Sequence, residues 1–326
     1  MNGTAFFHFL NDPLWDTPFF KRLSHNDTGR ASGHQGGVVI PISLREYFPD
    51  LDESLASPVA PTMDRRIVAE MFLLDSRVGV ELIRYQFQTW RATRSAESRL
   101  TDNLGLIRNQ AREDDILLMQ RSFDHLGIYR LILIPQSPAT YPLVESLTSG
   151  RRWGALYADR PPISHSEIVS AREEMLAESY QPFVPTRVVV PRRSITRSAI
   201  ARDTAFRETM LSQYDRRCAV SGIGLATQAI FEVQAAHVIG LCDGGADEPR
   251  NGIALTGTLH WAFDQGLFVV GEDRRIIVPP AVSAMGENEW LTQFHGRRIM
   301  EARSENLRTA AEAFTWHREK FLHRLA

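Results

Sequence analysis

Residues 234–270 read QAAHVIGLCDGGADEPRNGIALTGTLHWAFDQGLFVV, and this stretch decides the fold of the second half of the chain. QAAHVI is a short strand ending in His237, and GLCDGGADEP is a Gly/Asp/Pro loop. NGIALTG supplies a turn at Asn251, and LHWAFDQG is a short helix. On that helix His260 and Asp264 stand at i and i+4 and share a face. An imidazole nitrogen and a carboxylate oxygen so placed can hold one divalent cation. An ion with N and O ligands and open positions suits phosphodiester hydrolysis. His237, with a side-chain type that titrates near neutral pH, can take a proton from an attacking water. Asn251 can fix that imidazole by accepting its other N–H, or orient a ligand. Taken singly, a His in an apolar strand is commonly a core histidine and an NG pair is commonly a turn. Together, at this spacing, the four residues form a specific constellation.

The flanks agree with a compact domain around this stretch. TAFRETMLSQYDRR precedes it as a helix, and SENLRTAAEAFTWHREKFLHRL reads as a closing helix. Further out, residues 1–135 carry short β-type runs: VVIPI (38–42), VELIRYQFQTW (80–90), DILLMQR (115–121) and IYRLILI (128–134). Several short strands with few helical pieces predict a barrel-like β fold. Between the two lies a looser stretch with a helix at 164–179 and the Pro/Arg-rich VPTRVVVPRRSITRS. The chain of 326 residues is thus predicted to be α+β with two domains: a β pseudobarrel at 1–160, a connector at 161–200, and a second domain at 201–326.

Composition limits the functional classes. With 43% hydrophobic and 23% charged residues the chain is an ordinary folded protein. No apolar run is long enough for a membrane span, and the N-terminus lacks the basic region of a signal peptide, so a cytoplasmic protein with no membrane partner is expected. Cys218 and Cys242 are the only cysteines and neither lies in a CxxC, so no structural zinc is expected; Cys218 reads as a small core residue. The net charge of −2 does not by itself favour nucleic acid. Of the 37 basic residues, however, only Lys21 and Lys320 are lysines. Codon bias gives such a chain, and so does selection for phosphate and guanine contacts.

KRLSHNDTGRASGHQGGVVIP (21–41) interrupts the strands of the first domain with donors and acceptors suited to base edges. RATRSAESRLT (91–101) is a second polar run, able to clamp the opposite side of a duplex. An ordinary mobile loop is the plainer reading of the first.

The 203–280 region resembles an HNH endonuclease domain of the ββα-metal kind, through YDRRCAVSG, the His in AAHV, the Asn in RNGIAL, the His in LHWAFD and the GLFVV strand. That resemblance implies His237 as general base, Asn251 as the residue positioning it, and His260 and Asp264 as ligands of Mg²⁺, Mn²⁺ or a similar ion. Many such domains carry Asp or His just before the first His. Here Ala236 stands there, so Glu232, Gln234 or water must complete the metal shell. Residues 15–135 resemble the N-terminal effector domain of EcoRII-type restriction endonucleases, a pseudobarrel shared with plant B-three transcription factors. RLSxNDTGxxxGHQxGxxIP, from Arg22 to Pro41, and TRSAESRLT (93–101) carry this match. It implies two DNA-gripping arms: Arg22, Asn26, Asp27, Thr28, His34 and Gln35 on the first, Arg91, Arg94 and Arg99 on the second.

The two resemblances together imply a type II restriction endonuclease that cleaves double-stranded DNA at or near a short site. A homodimer is then expected, with a cognate DNA methyltransferase as its genetic partner. Two alternatives stand beside it: a modification-dependent nuclease reading methylcytosine, and a DNA-binding regulator with an inactive HNH fold.

Overall fold

The computed structural model describes residues 3–30, 36–57, 59–90, 94–123, 125, 127–136, 139–186, 197–321 and 323. The chain divides into two compact units, 1–166 with 227–230, and 167–226 with 231–326.

In the first unit the elements run α1 (Gly3–Leu10), β1 (Phe19–Arg22), β2 (Val38–Ile40), β3 (Thr62–Leu73), β4 (Ser76–Trp90) and β5 (Arg94–Thr101), followed by α2 (Gly105–Gln110), β6 (Ile116–Arg121), β7 (Ile128–Ile134), α3 (Thr140–Thr148) and β8 (Trp153–Ala155). The eight strands form one curled sheet in the order β2-β5-β4-β3-β7-β6-β1-β8. The β3–β7 pair is parallel and the other neighbours are antiparallel. Several strands differ from the sequence expectation: β1, β3 and β8 lie where none was read, and much of the second polar run is β5.

Both faces of β6 and β7 are buried, which explains their apolar runs. Phe19, Leu117, Met119, Leu131 and Leu133 enter one core. Their chain neighbours Phe20, Ile116, Leu118, Ile132 and Ile134 enter the other, as alternation along a strand requires. In the first core Phe48 stacks between Tyr85 and Tyr129, with ring centroids 4.7 and 5.2 Å apart.

The second unit takes up α4 (His165–Glu178) from Glu167 onward and continues with α5 (Arg197–Gln213), β9 (Gln234–His237) and β10 (Gly252–Leu255). Then come α6 (Gly257–Asp264), β11 (Val269–Val270), β12 (Ile276–Ile277), α7 (Pro280–Ser283) and α8 (Ala311–Lys320). β9 and β10 pair antiparallel with Gly252 opposite His237 and Leu255 opposite Gln234. α5 lies so close to β10 that a side chain at Gly252 would meet Met210 and Phe206 at 2.8–2.9 Å.

The closing helix starts later than its sequence suggests. An α-helix runs over Ala311–Lys320, while Glu305–Leu307 is a 3-10 turn. Between them Thr309 Oγ1 donates to Gly252 O at 2.6 Å and the Ala310 N–H to Arg250 O at 2.7 Å. These tertiary bonds hold the chain off the helix until Ala311. Among the described residues no helix is long and apolar enough to cross a membrane.

Candidate active site and reading loops

The hairpin of β9 and β10, followed at once by α6, brings His237, His260 and Asp264 into one region. Thr256 caps the N-terminus of α6, and its carbonyl accepts the His260 N–H at 2.8 Å. One turn separates His260 from Asp264, and their Nε2 and Oδ2 atoms lie 3.6 Å apart. The other imidazole nitrogen, Nδ1, lies 2.7 Å from Oε1 of Gln234 on β9. Burial lowers the His260 pKa from its ordinary value, the nearby His237 adds to this, and Asp264 opposes it. His260 is therefore a neutral imidazole at neutral pH, able to give a lone pair to a cation. Burial raises the Asp264 pKa, against the pull of His260 and Lys320. Lys320, at the end of α8, pairs with Asp243 at 2.7 Å.

His237 is held on two sides. Its ring stacks on Phe206 of α5, with centroids 4.0 Å apart and planes 7° apart. Its Nε2 lies 3.0 Å from Oδ1 of Asp247. Asn251 was expected to fix this imidazole, and it does something else. Its Nδ2 donates to the carbonyls of Ile239 and Ala246 at 2.9 and 2.8 Å, and its Oδ1 accepts the Ile239 N–H at 2.9 Å. It is fully buried. With both amide protons on main-chain carbonyls, Asn251 fastens the loop that follows β9. Gly245 is needed at the crossing, because a side chain there would strike the Ile239 carbonyl and the Asn251 amide. Pro249–Asn251 is a 3-10 turn rather than a hairpin turn, and β10 begins immediately after it.

Sequence reasoning missed Asp247 and Phe206. Asp247 lies in an irregular loop with no periodic signal, and Phe206 reads as one apolar residue on a helix. Of the residues considered to complete a metal shell, Gln234 is the one placed against His260. Among the described residues no group of three His, Cys, Asp or Glu could hold a metal ion; the expected ligands His260 and Asp264 stand together as a pair. Cys218 is a buried core residue and Cys242 is exposed; both are free thiols.

Behind α6 a second histidine is buried. His317 of α8 stacks on Phe263, with centroids 3.8 Å and planes 4° apart, and its Nε2 lies 3.0 Å from the Phe263 carbonyl. Burial pushes its pKa down to about 4, although the Phe263 carbonyl opposes the shift.

In the first unit the expected DNA-contacting residues divide. Asn26 is exposed, on a 3-10 turn at His25–Asp27. Arg22, Asp27 and Thr28 depart from expectation because they are tied down. Arg22 donates to Glu145 Oε1 through both terminal nitrogens at 3.1 Å and to the Tyr141 hydroxyl at 2.8 Å. Asp27 is buried and accepts from Lys21 Nζ at 2.6 Å, from the Val39 N–H, and from the Ser24 N–H and hydroxyl. Thr28, also buried, donates to the His25 carbonyl at 2.8 Å. These residues shape the loop instead of facing outward. His34, Gln35 and Arg91 lie outside the described residues. Arg94 opens β5 opposite Trp90, and its side chain also lies outside them. Arg99 pairs with its neighbour Glu97 at 2.8 Å. Since β2 meets β5 at Ser98–Leu100, the first loop enters beside the far end of β5. The two ends, Arg94 and Thr101, are about 23 Å apart at ~3.3 Å per residue. One further arginine was missed by sequence reasoning. Arg108 of α2 is exposed and lies against the first loop: a side chain at Gly36 would strike its guanidinium, and one at Gly29 its main-chain carbonyl.

Comparison with known proteins adds a family for one part of the chain. Residues 218–271 match the HNH endonuclease family model. No curated protein matches the chain. Among solved structures it is similar to the modification dependent TagI restriction endonuclease, at 19% identity over 35% of this chain and 36% of that one, with a TM-score of 0.29. It is also similar to the B3 domain of the UbaLAI restriction endonuclease, solved with cognate DNA, at 22% identity over 36% of this chain and 67% of that one, with a TM-score of 0.27. The chain therefore spans about a third of the length of the TagI enzyme. The matched segment carries the hairpin, the clasped loop and the helix that hold His237, Asn251, His260 and Asp264, and residues 218–271 are an HNH endonuclease domain.

Proposed function

We propose that the protein is a restriction endonuclease of type II that hydrolyses both strands of DNA at or near a short sequence. The single observation that carries this reading is the meeting of His237 with the His260–Asp264 pair inside the HNH segment. His237 takes a proton from water. The water oxygen attacks phosphorus, and the P–O3′ bond breaks. The leaving 3′-oxygen takes a proton from solvent, which gives 5′-phosphate and 3′-hydroxyl ends.

The donor set fits a divalent ion such as Mg²⁺ or Mn²⁺. Two donors each about 2.1 Å from one ion can be at most about 4.2 Å apart, and the His260 and Asp264 atoms are 3.6 Å apart. These two residues would hold it, with Gln234 orienting the imidazole through Nδ1. When bound, the ion polarises the phosphate and stabilises the leaving oxygen.

The first unit supplies sequence reading in this proposal, through the exposed part of the first loop, Arg108, and the segment joining β4 to β5. One hydrolytic site per chain and two strands per duplex favour a homodimer on the DNA. A companion DNA methyltransferase would protect the host.

Cleavage of a mixed DNA library in Mg²⁺, with sequencing of the ends, tests the proposal. Ends clustered at one short motif support it. Cleavage only of a methylated library would assign the protein to the modification-dependent class. Binding of a motif without cleavage in any divalent ion would leave a regulator with an inactive HNH fold.

A further inference from the structure

A general base works only if its lone pair is on the correct nitrogen and aimed at the water. In HNH segment 218–271 the residue expected to provide this control, Asn251, has both Nδ2 protons on main-chain carbonyls. The imidazole of His237 is controlled by other groups. Phe206 fixes the plane of the ring, with centroids 4.0 Å apart and an angle of 7°. Rotation within that plane is fixed by Asp247, whose Oδ1 lies 3.0 Å from Nε2. Asp247 is held in turn from α5. Arg202 Nε donates to its carbonyl oxygen at 3.0 Å and lies 3.7 Å from its Oδ2, while Arg202 Nη2 pairs with Glu178 at 2.9 Å. Phe206, Arg202 and Glu178 all lie outside the family segment, on α4 and α5.

An ionised carboxylate can only accept hydrogen bonds. A neutral imidazole facing it at Nε2 therefore carries its proton on Nε2 and keeps its lone pair on Nδ1. We infer that Asp247 is the positioning residue of this site: it sets the tautomer and orientation of His237, with Arg202 and Phe206 bracing the pair, so that Nδ1 takes the proton from water. The inference rests on the general-base role proposed above for His237. It makes Asp247 the counterpart of a carboxylate that orients a catalytic histidine, a role in which the carboxylate itself does not change protonation.

The test uses the full chain, labelled with ¹⁵N-histidine, and reads the ring nitrogens of His237 by long-range ¹⁵N–¹H correlation, assigned with His237→Gln. The parent is expected to carry the proton on Nε2. In Asp247→Ala the ring is expected to become a mixture of both tautomers. Cleavage by Asp247→Ala should fall about 10- to 100-fold in kcat, part of the roughly 10²–10⁴-fold that a positioned general base contributes. The KM for DNA should stay within about twofold, because a positioning residue acts on the imidazole and not on DNA binding. Asp247→Glu should recover most of the rate by restoring the acceptor. A parent proton found on Nδ1 overturns the inference, and so does an Asp247→Ala variant that cleaves at the parental rate. The parental spectrum needs no variant, so failure of Asp247→Ala to fold leaves the test standing. If the parent cleaves no DNA while the proton sits on Nε2 and leaves it in Asp247→Ala, the nuclease proposal fails and the positioning role survives.

Discussion

Asn251 holds Ile239 through both ends of its amide: Oδ1 accepts the Ile239 N–H and Nδ2 donates to the Ile239 carbonyl, each at 2.9 Å. With the bond to Ala246 this closes the loop that carries Asp247. Asn251→Ala leaves a buried N–H and two carbonyls without their partner. Each such group costs about 1–3 kcal/mol, so a loss of roughly 3 kcal/mol or more is expected. Urea unfolding and DNA cleavage should decline together. A variant that keeps its stability while cleavage alone is lost would return Asn251 to a direct role in the chemistry.

His237→Ala should behave differently. Removing a general base costs about 100-fold or more in rate, and DNA affinity should barely change. Single-turnover cleavage and binding titrations on the same preparation separate the two. Near-parental cleavage by this variant would remove His237 from the mechanism.

Chelation checks the donor pair. EDTA should abolish cleavage, and His260→Ala and Asp264→Ala should each raise the Mg²⁺ concentration needed for half-maximal rate. If Asp264→Ala titrates with Mg²⁺ like the parent, the ligand set is wrong and the metal requirement still stands. Full cleavage in EDTA would end the metal reading.

The arginines of the first unit should separate into working and structural sets. Arg108→Ala is expected to weaken binding to all DNA sequences alike and to reduce the salt slope by about one, the mark of a lost phosphate contact. Arg22→Ala should leave binding unchanged, because its guanidinium is already bound to Glu145 and Tyr141. Titrations at two salt concentrations decide. Loss of discrimination at one base position in Arg108→Ala would make it a guanine reader instead.

His317 predicts how stability depends on pH. Its folded pKa is about 4, against roughly 6.5 when unfolded. Between these values the unfolded chain binds a proton that the folded chain does not. Stability from this group is therefore complete above about pH 6.5 and is lost as pH falls toward 4. At pH 5 the loss is about 2 kcal/mol. His317→Gln keeps a donor for the Phe263 carbonyl and removes the titration. The parent should lose about 2 kcal/mol more than this variant between pH 7 and pH 5 in urea unfolding. Parallel losses would show that His317 is not the group responsible.

The hairpin and helix of the candidate site are legible in the sequence, because their information is local. The elements from Gln234 to Asp264 are contiguous, and the i, i+4 spacing places His260 and Asp264 on one face whatever surrounds them. The sequence also set apart the polar, Gly-rich stretch at 21–41, whereas much of the polar run at 91–101 is strand β5. The tertiary structure alone decided which of those side chains are available. Arg22 finds Glu145 123 residues away, and the ring that covers His237 comes from another helix. β3 was missed because Asp64, Arg65, Arg66 and Glu70 break its apolar pattern, and its place is set by distant β7. The closing helix was overestimated because two bonds to Gly252 and Arg250 outcompete local helix preference. Propensity and spacing act over a few residues. Burial, ion pairing and stacking join residues that only the folded chain brings together.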